Sequence, residues 1–481
     1  MYRGQPETLP ALIERSVEKY ASAPAASELG GRALTYEELW EESAQAAALL
    51  QQHFGVEPGD RVVFVAANSL DLLVGLIGTW RAGAVAVTLN PKYTYTELER
   101  QLTQCSPRVV LVEPELLPKV SRQVPVHVLA AARSGGARLE PMPVRGDDPA
   151  LLMFTSGTTG QSKGALQSHL NLVSAAETWV RCLDLEPGER TVVAAPIFHV
   201  TGMNGQSLPV LATGGSVAIM PRFNARLLVE LLAAGEAGFF HAAPVIYLKA
   251  IEAARGRRAH GLRVGVCGGS FVSRGLVSRV QKFAPGVDFR ISYGMTESSS
   301  SAVLTPPGWI DDRPGDAVGV AVPVDDVRIS PDSEGEILFR GATVIARYDG
   351  PQNVSDGCFL EGWLRSGDLG SIDGNGFVTV LDRIKDVINR GAEKIASLEV
   401  ENALCAHPAV LEAAVVGKPD AVFGEVPRAV VVLAEGAEAS PAELQEFSSK
   451  RLARFKIPVE ITFVDHLPRN AGGKIMKGML R

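Results

Sequence analysis

The first 112 residues alternate between short apolar runs and longer amphipathic stretches that carry helix-start signals. Residues 61–66, 84–89 and 108–112 have the length and apolar composition of buried strands. The intervening helices begin at Ser or Thr, and at Thr35 and Thr94 a following glutamate completes a capping box, in which each side chain satisfies a free backbone N–H. Strands that alternate with helices predict βαβ units and a mostly parallel sheet, so the expected fold class is α/β.

The length and composition restrict the possible domain organisation and the possible function classes. A chain of 481 residues is too long for one ordinary core, so two or more domains are expected. A net charge of −7 without a basic stripe argues against a nucleic-acid binder. Five scattered cysteines show neither zinc nor disulfide spacing, which favours a cytoplasmic location. Residues 1–10 do not resemble a signal peptide, and the longest apolar run, 72–89, is too short to span a membrane.

A stretch rich in Gly, Ser and Thr, residues 155–164, follows the strand-like run 150–154 and precedes a helix that begins near His169. Its three glycines allow the backbone to turn tightly and to approach a ligand. Successive N–H groups in such a turn attract an anion, and Lys163 adds a positive charge. The stretch lacks the Gly-Lys-Ser/Thr of a Walker A loop. It is interpreted either as a polyphosphate site or as a flexible surface loop.

Polar residues also follow three later runs that are expected to be strands. They are His199, the Gly268–Ser270 segment and the Thr296–Glu297 pair. Ligands of open α/β sheets bind at the carboxyl ends of the strands, and a glutamate there is a suitable ligand for Mg²⁺. Read alone, however, a histidine in a turn or a Thr-Glu pair at a helix start is an equally ordinary structural feature.

The last hundred residues form a separate pattern. Strand-like runs and a capping box at Ser440 and Glu443 indicate a small α+β module. Asp368 lies in a Gly-rich segment before this module, and Lys474 lies in a Gly-flanked loop near its end. Taken alone, the first is an ordinary turn residue and the second a solvated charge.

Five motifs occur together and in a characteristic order: Thr155–Gly164, Tyr293–Glu297, Trp363–Asp368, Arg383–Lys394 and Pro468–Lys474. In this combination the chain resembles the adenylate-forming superfamily, which contains acyl- and aryl-CoA synthetases, adenylation domains of peptide synthetases and beetle luciferases. The resemblance covers nearly the whole chain.

The resemblance implies a two-part α/β architecture. Residues 1–382 would form the AMP-binding part, with two doubly wound sheets and a small β-barrel. Residues 386–481 would form a small mobile α+β domain, which rotates about a hinge at 383–385 between the two steps of the reaction. The implied reaction joins a carboxylate to the AMP of ATP with loss of pyrophosphate, and coenzyme A then accepts the acyl group. ATP, Mg²⁺ and coenzyme A are the implied cofactors, and no nucleic acid or membrane is expected as a partner.

The resemblance also implies a role for individual residues. Catalysis would involve Lys474, Thr296, Glu297 and His199, and Mg²⁺ would be held by Glu297 and Thr155. Nucleotide and coenzyme A binding would involve Thr155, Ser156, Gly157, Thr158, Thr159, Gly160, Lys163, Gly268, Gly269, Ser270, Tyr293, Gly294, Met295, Asp368, Arg383, Lys385, Gly391 and Lys394. The acyl pocket would be lined by His199, Thr201, Met203, Asn204, His241 and Ala243.

The identity of the acid is less constrained. Relatives that activate amino acids generally carry an Asp near the position of His199, and relatives that use malonate tend to carry a second His where Thr201 stands. Residues 198–205 look most like the corresponding segment of fatty-acyl or aryl-acyl CoA ligases, so the resemblance implies a fatty or aryl acid. Transfer to a separate carrier protein, and a catalytically silent nucleotide- or acyl-CoA-binding module, remain alternatives. The sequence leaves the oligomeric state open, a homodimer included.

The chain departs from the superfamily pattern at several positions. Ala392 follows Gly391 where a second glycine is usual, so the thioester step is less securely implied than the adenylation step. Ser397 stands where proline is frequent, and Phe271 lies in a segment that usually reads Gly-Ala-Pro.

Overall fold

The computed structural model describes residues 2, 4–120, 125–129, 139–156, 162–333, 335–391, 393–469 and 474–481. The α-helices of these residues are α1 (Leu9–Tyr20), α2 (Tyr36–Gln52), α3 (Leu70–Arg81), α4 (Tyr95–Cys105), α5 (His169–Cys182), α6 (Leu208–Ala212), α7 (Ala225–Ala233), α8 (Pro244–Ala254), α9 (Arg274–Phe283), α10 (Ser397–Cys405) and α11 (Pro441–Ser449). The expected capping boxes begin α2, α4 and α11. No helix in these ranges is both long and apolar enough to cross a membrane.

The strands alternate with these helices in the first two thirds of the chain. They are β1 (Pro24–Glu28), β2 (Ala33–Thr35), β3 (Arg61–Val65), β4 (Val85–Leu89), β5 (Val109–Val112), β6 (Val126–Val128), β7 (Pro149–Ser156), β8 (Ser162–Ser168), β9 (Arg190–Val193), β10 (Ser216–Ile219), β11 (Phe239–Ala242), β12 (Val264–Gly268), β13 (Asp288–Tyr293), β14 (Val303–Leu304), β15 (Val320–Ala321), β16 (Asp325–Ile329), β17 (Glu336–Gly341), β18 (Phe359–Leu360), β19 (Trp363–Ile372), β20 (Val378–Arg383), β21 (Ile388–Arg390), β22 (Glu393–Ile395), β23 (Val410–Asp420), β24 (Gly424–Leu433) and β25 (Glu460–Phe463).

Two large sheets form the body of the molecule. The six-stranded sheet has the order β6-β5-β3-β4-β7-β8 and is parallel except for the last pair. The nine-stranded sheet has the order β15-β14-β13-β12-β11-β9-β10-β1-β2, with a parallel centre. One hydrophobic cluster joins side chains of both sheets through α1, α2, α3 and α5, and almost every residue of α3 is buried. Helices packed between two sheets bring the carboxyl ends of many strands towards one region.

Two smaller sheets follow. Strands β16-β17-β19-β18, with β20 beside β19, form an antiparallel sheet, where the small barrel was expected. Strands β22-β21-β24-β23, with β25 beside β24, form the sheet of the last module, and it is packed with α10 and α11. The α/β fold class with several sheets and a small last module is therefore confirmed.

The interpretation of residues 155–164 as one loop is wrong at its edges. Thr155 and Ser156 end β7, and residues 162–164 begin β8, so that Thr155 pairs with Lys163 across an antiparallel hairpin. The polar pattern of β8 conceals a strand because its pairing with β7, not an apolar run, determines its conformation. Asp368 likewise lies within the ten-residue strand β19, beside Gly367 with a φ of 71°, and not in a turn.

Candidate active site

A cavity of about 560 Å³ lies between the carboxyl ends of β12 and β13 and the last module. Its lining brings together residues that the sequence assigned to nucleotide binding and to catalysis: Gly269, Ser270, Tyr293, Gly294, Asp368, Arg383, Lys385 and Lys474. These residues come from five separate parts of the chain, so the fold assembles the predicted site without any one segment containing it.

Asp368 is the buried acid of this cavity, with 7% of its surface exposed. Its Oδ2 accepts a hydrogen bond from the Tyr293 hydroxyl at 2.9 Å, and its Oδ1 lies 3.0 Å from Arg383 Nε. Asp368 also pairs with Arg383 across β19 and β20. Burial, followed by the charge on Asp368, raises the pKa of Tyr293 well above its ordinary value, so Tyr293 acts as a donor. The arrangement holds a carboxylate in place at the cavity wall.

Two glycines make room where β12 and β13 approach each other. A Cβ at Gly268 would lie 2.1 Å from Ser292 Oγ, and one at Gly294 would lie 2.1 Å from the Ser300 carbonyl oxygen. Gly269 has a φ of 76°, which a residue with a side chain rarely adopts. The turn after β12 therefore brings bare backbone to the cavity wall, where a flat ring could lie against it.

Lys474 reaches the same cavity from the last module. The pKa of its ammonium group falls from an ordinary 10.5 to about 8, mainly because of burial and then because of the charge on Arg383. The pKa of His199 is lowered to about 4, mainly by burial and then by the positive charge of Lys474. Lys474 and His199 therefore belong to one electrostatic unit, in which the imidazole is neutral at pH 7.

Glu297 follows β13 in the chain and lies close to Thr155 near the end of β7. Its Oε1 accepts hydrogen bonds from Thr155 Oγ1 at 3.1 Å and from the Tyr348 hydroxyl at 2.9 Å. Glu297 is 4% exposed and lies in the short turn Thr296–Ser298, as the sequence predicted for a residue after β13. The pairing of Thr155 with Glu297 was expected, whereas Tyr348 was not named by sequence reasoning.

Lys163 lies next to the residues that surround the Glu297 carboxylate. Its Nζ is 2.9 Å from Cys358 Sγ and 5.3 Å from the centre of the Tyr348 ring. Gly157, Thr158, Thr159 and Gly160, the tip of the predicted phosphate loop, lie outside the described residues, and so does Ala392. The structure thus places the base of the predicted loop, with Thr155 and Lys163 directly opposite each other.

No group of three or more His, Cys, Asp or Glu side chains suited to a metal ion occurs in the described ranges. This finding is compatible with Mg²⁺, which is commonly held by one or two carboxylates together with substrate phosphates. A buried glutamate next to the Thr155 hydroxyl is such a partial donor set, so the residues fit a metal that arrives with a nucleotide.

The residues assigned to the acyl pocket lie close to His199. His199 Nδ1 is 3.2 Å from Thr201 Oγ1, and His241 Nδ1 is 3.1 Å from the Gly205 carbonyl oxygen. His241 is 3% exposed, and burial lowers its pKa to about 4. Met203 and Asn204 are fully buried, and Ala243 caps α8 next to His241 in β11.

Asn204 begins a buried polar cluster that sequence reasoning did not find. Its Nδ2 donates to Gln167 Oε1 at 2.8 Å and to the Ser299 carbonyl oxygen at 3.1 Å. Within the described residues, three buried polar atoms of this cluster lack a hydrogen-bond partner: Asn204 Oδ1, Gln167 Nε2 and Ser299 Oγ. Buried polar atoms are normally paired, which indicates that this cluster meets a water molecule or a polar ligand group.

Gly391 and Lys394 do not line the cavity, whereas Lys385 does. Gly391 and Lys394 occupy exposed positions of the β21-β22 hairpin, and Gly391 has a φ of 63°. Lys385 lies in the short turn Ile384–Asp386, which joins β20 to the last module. The structure therefore brings Lys474 to the nucleotide side and leaves the Gly391–Lys394 face outside.

A charged network spans this connection. Asp382 Oδ2 accepts from the Ser397 hydroxyl at 2.7 Å and from the Ser397 backbone N–H. Lys477 Nζ contacts Ser397 Oγ at 2.6 Å and Glu401 Oε1 at 2.7 Å. A proline at position 397 would permit neither bond to Asp382, because it lacks both the N–H and the hydroxyl. Ser397 therefore links the last strand before the turn to the last module.

Comparisons with known proteins agree with this geometry. The profile of AMP-binding enzymes matches residues 13–349, and the profile of the AMP-binding enzyme C-terminal domain matches residues 399–474. A feruloyl-CoA synthase of Amycolatopsis sp is 36% identical over 466 residues, 94% of each chain. A 2-succinylbenzoate–CoA ligase of Bacillus velezensis is 32% identical over 457 residues, 93% of this chain and 92% of the relative.

Solved structures are similar over nearly the whole length. ATP-bound MatB from Rhodopseudomonas palustris has a TM-score of 0.88 at 30% identity and covers 98% of both chains. The anthranilate CoA ligase AuaEII in complex with anthranoyl-AMP has a TM-score of 0.90 at 25% identity, over 98% of this chain and 96% of that chain. The chain therefore belongs to the AMP-binding enzymes, and among them to the acyl-CoA synthetases of the adenylate-forming superfamily.

Proposed function

We propose that the protein is an AMP-forming carboxylic acid–CoA ligase. In the first step a carboxylate oxygen attacks the α-phosphorus of ATP and pyrophosphate leaves. In the second step the thiolate of coenzyme A attacks the acyl carbon and AMP leaves. The observation that carries the proposal is Lys474, which shares one cavity with Asp368, Arg383 and Tyr293, where its charge can meet both the carboxylate and the α-phosphate.

Each residue of the cavity has a role in this scheme. Asp368 accepts the ribose hydroxyls, since its carboxylate is already oriented by Tyr293 and Arg383. Lys474 neutralises the two anions that must approach each other, which is the main electrostatic obstacle of the first step. Thr296 donates to the α-phosphate, and Lys163 balances the charge of the outer phosphates.

Glu297, assisted by Thr155, would hold Mg²⁺ in this scheme. When bound, the ion neutralises charge on the phosphates during their displacement. The protein's own contribution is the orientation of the Glu297 carboxylate, which Thr155 and Tyr348 hold through Oε1.

The second step requires a rearrangement of the last module. Residues 383–385 would act as the hinge between a part comprising residues 1–382 and a part comprising residues 386–481. Rotation about this hinge would withdraw Lys474 and bring Gly391 and Lys394 from their exposed hairpin to the site, where coenzyme A enters.

For the acid, we propose an aryl acid that carries a polar ring substituent. The buried cluster of Asn204, Gln167 and Ser299 offers unpartnered donors and acceptors, which an alkyl tail could not satisfy. Two of the relatives are named for aromatic acids, ferulic and 2-succinylbenzoic. The five free cysteines accord with a cytoplasmic location.

The test is to incubate the protein with ATP, Mg²⁺, coenzyme A and a panel of paired acids, and to identify products by mass spectrometry. The pairs should differ only in the ring substituent, for example cinnamic acid against hydroxylated and methoxylated cinnamic acids, with fatty acids of similar length alongside. Formation of acyl-CoA with a preference for the hydroxylated acids is expected.

Three other outcomes would contradict parts of the proposal. A preference for fatty acids would refute the aryl assignment while leaving the ligase reaction in place. Acyl-adenylate without acyl-CoA would instead favour delivery to a carrier protein. It would also point to Ala392 as a residue that impairs the thioester step. If ATP binds but neither product forms with any acid, the silent binding module is favoured.

A further inference from the structure

Tyr348 contacts the proposed adenylation site although none of the five motifs contains it. It is 6% exposed and pairs with Ala165 of β8 through an isolated bridge. Its hydroxyl donates to Glu297 Oε1 at 2.9 Å, and its backbone N–H donates to Ser355 Oγ at 3.1 Å. These contacts fix the backbone of Tyr348, and its hydroxyl points at the buried carboxylate of Glu297.

The two hydrogen bonds that the Glu297 carboxylate accepts within the described residues both reach the same oxygen. Thr155 Oγ1 and the Tyr348 hydroxyl donate to Oε1, and neither donates to Oε2. Two donors on one oxygen determine the rotation of the carboxylate plane, and they leave the second oxygen available to a cation. A charge-assisted hydrogen bond from a buried hydroxyl is strong enough to maintain that orientation.

Tyr348 also lies near the positive charge of Lys163. The face of its ring lies 5.3 Å from Lys163 Nζ, so Tyr348 touches both charged groups on this side of the site.

We propose that Tyr348 is a positioning residue of the adenylation step, and that its hydroxyl orients Glu297 so that Oε2 faces the metal bound with the nucleotide. This inference rests on the proposed function, because it concerns how the same site receives Mg²⁺ and ATP. It adds a residue that acts through Glu297 and does not itself touch the nucleotide.

The experiment compares Tyr348→Phe with a matched control, Tyr247→Phe. Tyr247 is also buried, and its hydroxyl donates to the Phe240 carbonyl oxygen at 3.0 Å, away from the cavity residues discussed above. Each substitution removes one buried hydroxyl and keeps the ring. The readout is the affinity for a triphosphate analogue with a methylene bridge between the α- and β-phosphates, measured by calorimetry with Mg²⁺ and with EDTA. No acid substrate is needed, so the result does not depend on identifying it.

Tyr348→Phe is expected to reduce the Mg²⁺-dependent gain in nucleotide affinity by about ten-fold, while affinity in EDTA stays at the wild-type value. Tyr247→Phe is expected to change neither value, although both variants lose some thermal stability. Thr155→Val removes the other donor to Oε1 and should likewise reduce the Mg²⁺-dependent gain.

Two results would overturn the inference. One is an unchanged Mg²⁺-dependent gain in Tyr348→Phe. The other is an equal loss of affinity with and without Mg²⁺, which would mean that Tyr348 supports the pocket as a whole. Neither result depends on the ligase reaction: a wild-type protein that binds the Mg²⁺–nucleotide but makes no acyl-CoA would count against the proposed function only.

Discussion

Raising the pH should switch off the first half-reaction before the second, because of the titration of Lys474. The pKa of this lysine is lowered to about 8, so its ammonium group is lost as the pH rises through that value. The group is about nine-tenths charged at pH 7 and about one-tenth charged at pH 9. If only the charged form brings the carboxylate to the α-phosphate, kcat/KM for ATP should fall about ten-fold over these two pH units.

The assay is pyrophosphate release with saturating acid, followed from pH 6.5 to 9.5. The decline should appear in kcat/KM for ATP, which reports on the enzyme before ATP binds. It should be weaker in kcat, because bound phosphates favour the charged lysine. Thioester formation from supplied acyl-adenylate should show no matching decline, since the proposed rotation of the last module would withdraw Lys474 in that step.

Lys474→Arg provides the matched control. Arginine stays charged throughout this range, so the variant should be slower but should lack the alkaline decline. Lys474→Ala should lose adenylation at every pH and keep thioester formation. The reasoning is refuted if the wild-type kcat/KM is flat between pH 7 and 9.5, if Lys474→Arg declines in parallel with the wild type, or if Lys474→Ala loses both half-reactions equally.

Two further substitutions test the rest of the site. Asp368→Asn should raise KM for ATP by about ten- to a hundred-fold with little change in KM for the acid, because it removes the charged partner of Arg383 and the proposed acceptor of the ribose hydroxyls. An equal change in both constants would contradict this. Ser397→Pro should slow adenylation and speed thioester formation, and make the chain easier to cleave near Lys385, because it removes both hydrogen bonds to Asp382; unchanged partial rates would show that this link does not restrain the last module.

Local features were the most predictable part of the fold. The helix starts at Thr35, Thr94 and Ser440 follow from residues three positions apart, so the sequence shows the whole interaction. Strand β8 was missed because its conformation depends on pairing with β7 and its own side chains carry no apolar run. Strands β3, β4 and β5 end within one residue of the prediction because each is a short apolar run bounded by polar or turn-forming residues.

In the candidate site, too, residues in local motifs could be predicted, whereas residues joined by long-range contacts could not. Asp368 and Lys474 could be named because they stand in motifs, and the structure places both at one cavity. Tyr348 could not be named, since its contact with Glu297 joins residues about fifty positions apart and neither neighbourhood carries a pattern that points to the other. The polar cluster around Asn204 and Gln167 was hidden for the same reason.

Strand β1 has a consequence for how the chain acquires its fold. It lies near the start of the chain but pairs in parallel with β10, where Ala26 faces Val217. During synthesis the edge of β1 that pairs with β10 must therefore wait until roughly 190 further residues have emerged. Pairing over such a separation slows folding, so the nine-stranded sheet should be completed late, and nascent chains that end before β10 should depend on chaperones more than the finished protein does.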